Sequence, residues 1–288
     1  MYALDQNRSW SAYLIPVGVL VAFIPFFAAL VRESARNPYA GHVVFVPILS
    51  VVIVAVERSR FRGLAGCTPG ALPVVGGALG LLGIGYAADN LKLQALCLVA
   101  AAAGTMAWHF GRRGLRRAAF ALGFLLLSIP PPADAVGAVA PAVQQFVAVF
   151  SEVVVQAIGV PVGRDGIFLH LPSVTLEVAE QCAGLRFLPI LVVFGAAFAR
   201  IVVPEPTGQL TLMALCVPMA IIANATRVAA TTAGAYFFGS YVATGRLHFY
   251  IGKAFWLLAL VSIVGLALRL RDRGHLSLRQ GVMISSAP

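Results

Sequence analysis

Charge is what this chain has least of. Only 11% of its 288 residues are Asp, Glu, Lys or Arg, whereas a soluble domain carries roughly a quarter. That shortage excludes an ordinary soluble globular surface. Acidic residues are the scarcer sign, 11 against 21 Lys and Arg, for a net charge of +10. A basic excess often signals nucleic acid, but here the arginines gather in short loops between apolar runs, the pattern that orients a membrane protein. Nucleic acid is therefore not an expected partner. Cysteine is also sparse, with four residues in all. Cys97 and Cys216 lie within apolar runs, Cys67 in a short loop, and only Cys182 in a polar context. No CxxC pair and no zinc-like spacing occurs, which argues against a disulfide framework, and neither a metal site nor a cofactor is expected.

What is present is hydrophobic sequence, 60% of the chain, in runs long enough to cross a bilayer at about 20 residues each. The reading is an all-α polytopic membrane protein, residues 1–288 forming one integral membrane domain of about eight spans. These are Ala12–Val31, Val43–Val56, Leu72–Ala88, Leu91–Phe110, Ala118–Ile129, Cys182–Ile201, Leu210–Phe238 and His248–Leu270. Residues 133–181 form an extracytoplasmic cap segment. Its Pro141–Ile158 stretch repeats apolar residues at helical spacing and predicts an amphipathic helix on the outer membrane face. Ile167–Leu171 and Val174–Val178 flank Pro172-Ser173 and predict a small β-hairpin leading to Cys182. With eight spans, Arg58, Arg60 and Arg62, then Arg112, Arg113, Arg116 and Arg117, then Arg200, and finally Arg269, Arg271, Arg273 and Arg279 all fall on one side. The positive-inside rule makes that side cytoplasmic, with both termini.

Polar residues then stand out. The stretch Glu180-Gln181-Cys182-Ala183-Gly184-Leu185-Arg186 puts a thiol at the expected start of an apolar helix, with an arginine one turn on. A helix N-terminus and a nearby cation both lower a thiol pKa, and the thiolate is the nucleophile. Span seven holds Asn224-Ala225-Thr226-Arg227. An arginine inside an apolar span faces a protein interior or a wet cavity, and Asn224, three residues earlier, shares its face. His248 opens span eight. A thiol, a guanidinium and an imidazole thus approach one membrane face from three spans. Cys182 would attack a carbonyl, His248 would handle the proton, and Arg227 would steady the oxyanion.

These segments resemble the exosortase/archaeosortase family of membrane cysteine transpeptidases. The resemblance rests on Glu180–Arg186, a variant of the family's Cys-Ser-Gly segment, on Asn224-Ala-Thr-Arg227, and on His248. Gly41-His42-Val43 with Val46-Pro47-Ile48, and Ser128-Ile129-Pro130, match weaker family features. The resemblance implies Cys182, Arg227 and His248 as catalytic residues. Its implied substrates are exported proteins bearing a C-terminal sorting signal, namely a Pro-Glu-Pro motif, a transmembrane helix and a basic tail. It also implies an unidentified acceptor nucleophile and a place in the cell (inner) membrane, in contact with lipid. Ala183 departs from the family pattern, where serine is usual, and removes a hydroxyl there.

Further residues are candidates for binding or orienting substrate: Asn224, Arg186, Glu180 and His42. Glu177 or Glu180 is an alternative, structural partner for Arg227, and His170 reads as a hairpin residue. The Val203-Pro204-Glu205-Pro206 stretch looks like a sorting signal itself but falls in a cytoplasmic loop, where two prolines are ordinary turn chemistry. The competing reading is a non-catalytic transporter with an anion site at Arg227, or a scaffold for envelope polysaccharide assembly. No convincing internal repeat of the kind transporters show is present.

Overall fold

The computed structural model describes residues 13–64, 66–179 and 184–285. The protein is mostly helical. It divides into two compact units, Met1–Pro130 and Pro131–Pro288. Among the described residues, four helices are long and apolar enough to cross a membrane: Leu91–Ser128, Val136–Ala157, Pro206–Phe238 and Gly245–Asp272. A bent pair brings the number to five. The expected count of about eight spans is thus not reproduced by helix length, because several apolar helices fall short of it.

The first unit opens with α1, Tyr13–Ala22, and α2, Ile24–Arg36, bent by 41°. Pro25 sits in the first turn of α2, and its missing N–H and locked φ account for the break. Helix α3, Phe45–Val56, and α4, Ala71–Ala87, follow. The element α5, Leu91–Leu125, has a non-helical residue inside it, Gly111 at φ 63° and ψ −168°. Leu98 and Leu125 belong to one buried cluster. In a straight helix they would stand about 40 Å apart at 1.5 Å per residue. The chain therefore doubles back at Gly111, and α5 is two helical arms. The left-handed φ explains the glycine. The doubling back also explains why sequence patterning separates two runs here, at Leu91–Phe110 and Ala118–Ile129.

The same turn gathers cations. The Arg117 guanidinium donates to the Arg60 carbonyl, and the Phe61 and Phe110 rings stand 5.3 Å apart. The arginines after α3 and those after Gly111 therefore share one end of the first unit.

The second unit is built around α8, Pro206–Phe238. Helix α7, Leu188–Val202, runs antiparallel to it. Their spacing is set by glycines: a Cβ on Gly208 would lie 2.8 Å from Val203, and one on Gly195 would lie 2.1 Å from the Cys216 sulfur. Small residues at such crossings are how helices approach closely in lipid. Helix α9, Gly245–Ser285, runs back along α8, burying Ala259, Ile263 and Ala267 against Ala220, Cys216 and Leu212. Arg200, Arg269 and Arg271 thereby fall at the end where α8 begins.

At the other end α7 has run out, and different elements cover α8. Helix α6, Ala133–Ala157, packs Val147, Ala148 and Val155 toward Ala225, Val228 and Ala229, and the Ser151 hydroxyl donates to the Ala225 carbonyl. Strands β1 (Gly163–Asp165), β2 (Phe168–His170) and β3 (Thr175–Glu177) form an antiparallel sheet in the order β1-β2-β3. The β2–β3 pairing, His170 opposite Thr175, matches the expected hairpin, and β1 adds a third strand. Burial alternates along β2, with Leu169 inside and Phe168 and His170 outside, as one packed face requires. The His170 Nδ1 and Thr175 Oγ1 atoms lie 3.0 Å apart across the pair.

Two expectations change. The stretch expected to lie flat on the membrane surface is a 25-residue helix whose Val136–Ala157 portion is itself long and apolar enough to cross. The apolar helix expected to begin at Cys182 begins at Leu188, after turns that start at Gly184. Helix-dipole stabilisation fades within the first turn, and Cys182 itself lies outside the described residues.

Candidate functional site

The candidate site lies where α7 ends and the sheet takes over. Asn224 and Arg227 project from α8 and are 8% and 6% exposed. Burying a guanidinium this far is costly unless the surroundings are polar or wet. Arg227 lines two cavities of the second unit. The first, about 280 Å³, is bounded by Phe187 and Leu191 of the α7 end, by Asn224, and by Gly252 and Trp256 of α9. The second, about 430 Å³, is bounded by Leu169, Leu176 and Glu177 of the sheet, by Thr231 of α8, and by His248 of α9. The guanidinium thus stands in the wall between them.

Each position has a local cause. Arg227 lies 21 residues into α8, about 32 Å along its axis, close to the thickness of the hydrocarbon layer, about 30 Å. His248 lies in the first turn of α9, just after the Ser240–Ala243 turn folds back on α8, where Val242 packs against Gly234. Gly252 is buried one turn further on. A Cβ there would lie 3.5 Å from an Arg227 Nη, an ordinary contact distance that places the guanidinium against α9.

Three buried polar atoms line these cavities without a hydrogen-bond partner among the described residues: Thr231 Oγ1, His248 Nδ1 and Trp256 Nε1. Buried polar atoms normally have partners, so cavities lined this way suit a polar occupant. Glu177 borders the second cavity and makes no ion pair among the described residues.

Cys182 and Glu180 lie outside the described residues, as does Ala183. The chain is next described at Gly184, which has φ +83°. A Cβ on Gly184 would lie 2.5 Å from Asn224 Cγ, 2.6 Å from its Cβ and 2.8 Å from Nδ2. Nothing but glycine fits this contact, which seats the strand of chain two residues after Cys182 directly on Asn224. Arg186 is exposed in the turn that follows. His42 belongs to the first unit. It is 5% exposed, and burial holds it below the ordinary histidine value, opposed by the carbonyls of Tyr39 and Leu127.

Gly184, Gly252, Thr231 and Trp256 were not singled out from sequence. Gly184 had a signal, its place between Cys182 and Arg186. The others sit in apolar helical runs and acquire meaning only from what packs beside them.

The transmembrane exosortase family model (Exosortase_EpsH) matches residues 34–267, most of the chain. The chain belongs to the transmembrane exosortase family. No curated protein and no solved structure matches it. The matched exosortase region contains α3 through most of α9, and with them Gly184, Asn224, Arg227 and His248.

Proposed function

We propose that this exosortase is a membrane-embedded cysteine transpeptidase that cleaves C-terminal, PEP-CTERM-type sorting signals of exported proteins. The observation that carries the reading is the burial of Arg227 between two cavities, with His248 bordering one, and with Gly184 fixing the chain beside Cys182 onto Asn224. Cys182 passes its thiol proton to His248 and, as thiolate, attacks the scissile carbonyl carbon. The oxyanion that develops is stabilised by the Arg227 guanidinium. When the intermediate collapses, the C–N bond breaks and the leaving amine takes a proton from His248. The signal is released, and the exported protein remains as a Cys182 thioester. Water or an acceptor amine then attacks that thioester and regenerates the thiol.

The orientation follows from parity. The positive-inside rule assigns the arginine-bearing loops at Arg58, Arg117, Arg200 and Arg269 to the cytoplasm. Crossings between Arg117 and Arg200 must then be even in number. Taking the second arm of α5 and α7 as that pair keeps α6 within the outer cap of residues 133–181. The site end of α8 is extracytoplasmic, in the inner membrane, where an exported substrate arrives. The substrate's own transmembrane helix brings its motif to the membrane boundary, the depth that Arg227 occupies along α8.

The test is processing of a tagged substrate carrying the sorting signal, in cells expressing wild type, Cys182→Ala or Cys182→Ser. Both variants are expected to insert normally and to leave the substrate full-length. Processing by a folded, inserted Cys182→Ala protein would overturn the reading.

A further inference from the structure

One cleft in the first unit plays no part in the chemistry above. It measures about 1110 Å³ and is lined by α1, α2, α3 and both arms of α5, through Leu20, Phe27, Val51, Leu98, Met106 and Leu122 among others. Apart from Ser50 and Thr105, every lining side chain is apolar. Thr105 donates to the Ala101 carbonyl within its own helix, which leaves the Ser50 hydroxyl as the one polar lining group without a hydrogen-bond partner among the described residues.

Its length is informative. Along α3 the lining runs from Pro47 to Ala55, and along the first arm of α5 from Leu98 to Met106. Each is about 12 Å at 1.5 Å per residue. One leaflet of a bilayer's hydrocarbon is about 15 Å deep. The cleft is therefore about as long as one leaflet is deep.

Its ends differ. Ala55 lies three residues before Arg58, and Ala118 follows Arg117 directly. The cleft thus terminates at the cationic end of the unit, where Arg58, Arg60, Arg62, Arg112, Arg113 and Arg116 are all exposed. Topology signalling explains arginines in these loops, but it does not require an apolar cleft of one-leaflet depth to open among them.

We infer that this cleft binds an anionic phospholipid, with its acyl chains between α1, α3 and α5 and its phosphate headgroup against the arginines flanking Phe61 and Gly111. Charge complementarity selects the occupant. Basic residues near a membrane surface attract acidic lipid. A sorting-signal helix ends in a basic tail, which the same arginines would repel. The site is independent of the transpeptidase reading, since none of its residues lies in the second unit.

The experiment uses the full chain in nanodiscs containing trace diazirine-tagged phosphatidylglycerol or phosphatidylcholine, with photolabelled peptides mapped by mass spectrometry. Phosphatidylglycerol is expected to label the cleft peptides of α3 and α5 several-fold more than phosphatidylcholine. Arg112→Gln/Arg113→Gln/Arg116→Gln, at exposed positions that do not endanger folding, should reduce that preference by about fivefold per arginine, until it reaches phosphatidylcholine level. Ala121→Trp should block labelling by both lipids while leaving labelling elsewhere on the chain unchanged. Equal labelling by the two lipids would overturn the inference. So would an undiminished preference in the arginine variant, or displacement of phosphatidylglycerol by a synthetic sorting-signal helix. Loss of peptide processing in Cys182→Ala, with lipid labelling intact, would leave the two readings separately scored.

Discussion

Gly184→Ala is the most discriminating single change. Two penalties act there. The residue has φ +83°, and a side chain in the left-handed region costs about 1–2 kcal/mol. The new Cβ would also lie 2.5, 2.6 and 2.8 Å from three atoms of Asn224. Those distances are too short to hold, and Asn224 is buried on α8, so either the turn or the helix must move. Overpacking of this kind costs about 1–3 kcal/mol. Together they give about 2–5 kcal/mol. If the turn unfolds with the rest of the second unit, the melting temperature should fall by about 2–4 °C per kcal/mol, scaled for a chain of this size. If the turn alone shifts, the melting temperature holds and the chain beside Cys182 moves off Asn224. Processing of a tagged substrate then fails instead. The two assays together leave no room for a silent outcome, and wild-type melting with wild-type processing would refute the packing argument.

A second substitution separates the two penalties. Asn224→Ala removes Cγ and Nδ2, two of the three close atoms, but leaves Cβ. Asn224→Gly removes all three, at about 1 kcal/mol for a glycine within a helix. The clash is relieved by these changes, whereas the left-handed strain persists. Gly184→Ala should therefore cost less in either Asn224 background than in wild type, and least in the glycine one, a coupling that a double-mutant cycle reads directly. The cycle is read in melting temperature, because Asn224 lines the cavity and its loss affects activity on its own account.

Two further outcomes follow. Arg227→Lys keeps the charge but loses the planar fork that can hold an oxyanion at two points. Processing should fall by about 10²–10³-fold, as when one donor to an oxyanion is removed, with insertion unchanged; a lysine variant that processes at the wild-type rate would remove Arg227 from the chemistry. His42 is buried with its pKa depressed below 6.5, so the unfolded chain binds the proton more readily than the folded one. Its contribution to stability is full above about pH 6.5 and declines as the pH falls below that. Melting measured between pH 7.5 and pH 5 should therefore drop less in His42→Gln than in wild type, and parallel curves would show that the burial of His42 does not matter.

Much of this protein was legible in one dimension. Hydropathy and arginine placement located most of the helices, because a bilayer rewards apolar length and loop charge irrespective of partners. The β2–β3 hairpin was visible in two short apolar runs around Pro172-Ser173. Arg227 was visible because a lone cation in an apolar run has few explanations. Other features were not legible. The sequence separates Leu91–Phe110 from Ala118–Ile129, but only the shared buried cluster of Leu98 and Leu125 shows the two arms packed side by side about Gly111. The start of α7 was misplaced by six residues, because the apolar run continues through the turn at Gly184 and periodicity cannot see a left-handed φ. The start of α6, at Ala133 rather than Pro141, was also missed, because a helix interior normally excludes the proline that this one contains.

The sequence alone determined the class of protein, the clustering of cations in its loops, and the residue types able to do acyl-transfer chemistry. These are properties of composition and spacing, and they survive any packing consistent with a bilayer. The tertiary structure decided which of those residues meet. Arg227 became the wall between two cavities because α7 is shorter than α8 and the sheet fills the remainder. Gly184 became a fixed seat because Asn224 stands under it. The apolar cleft exists because one glycine turns the first arm of α5 back toward the second. Such juxtapositions depend on long-range contacts between elements, which no local pattern in the chain records.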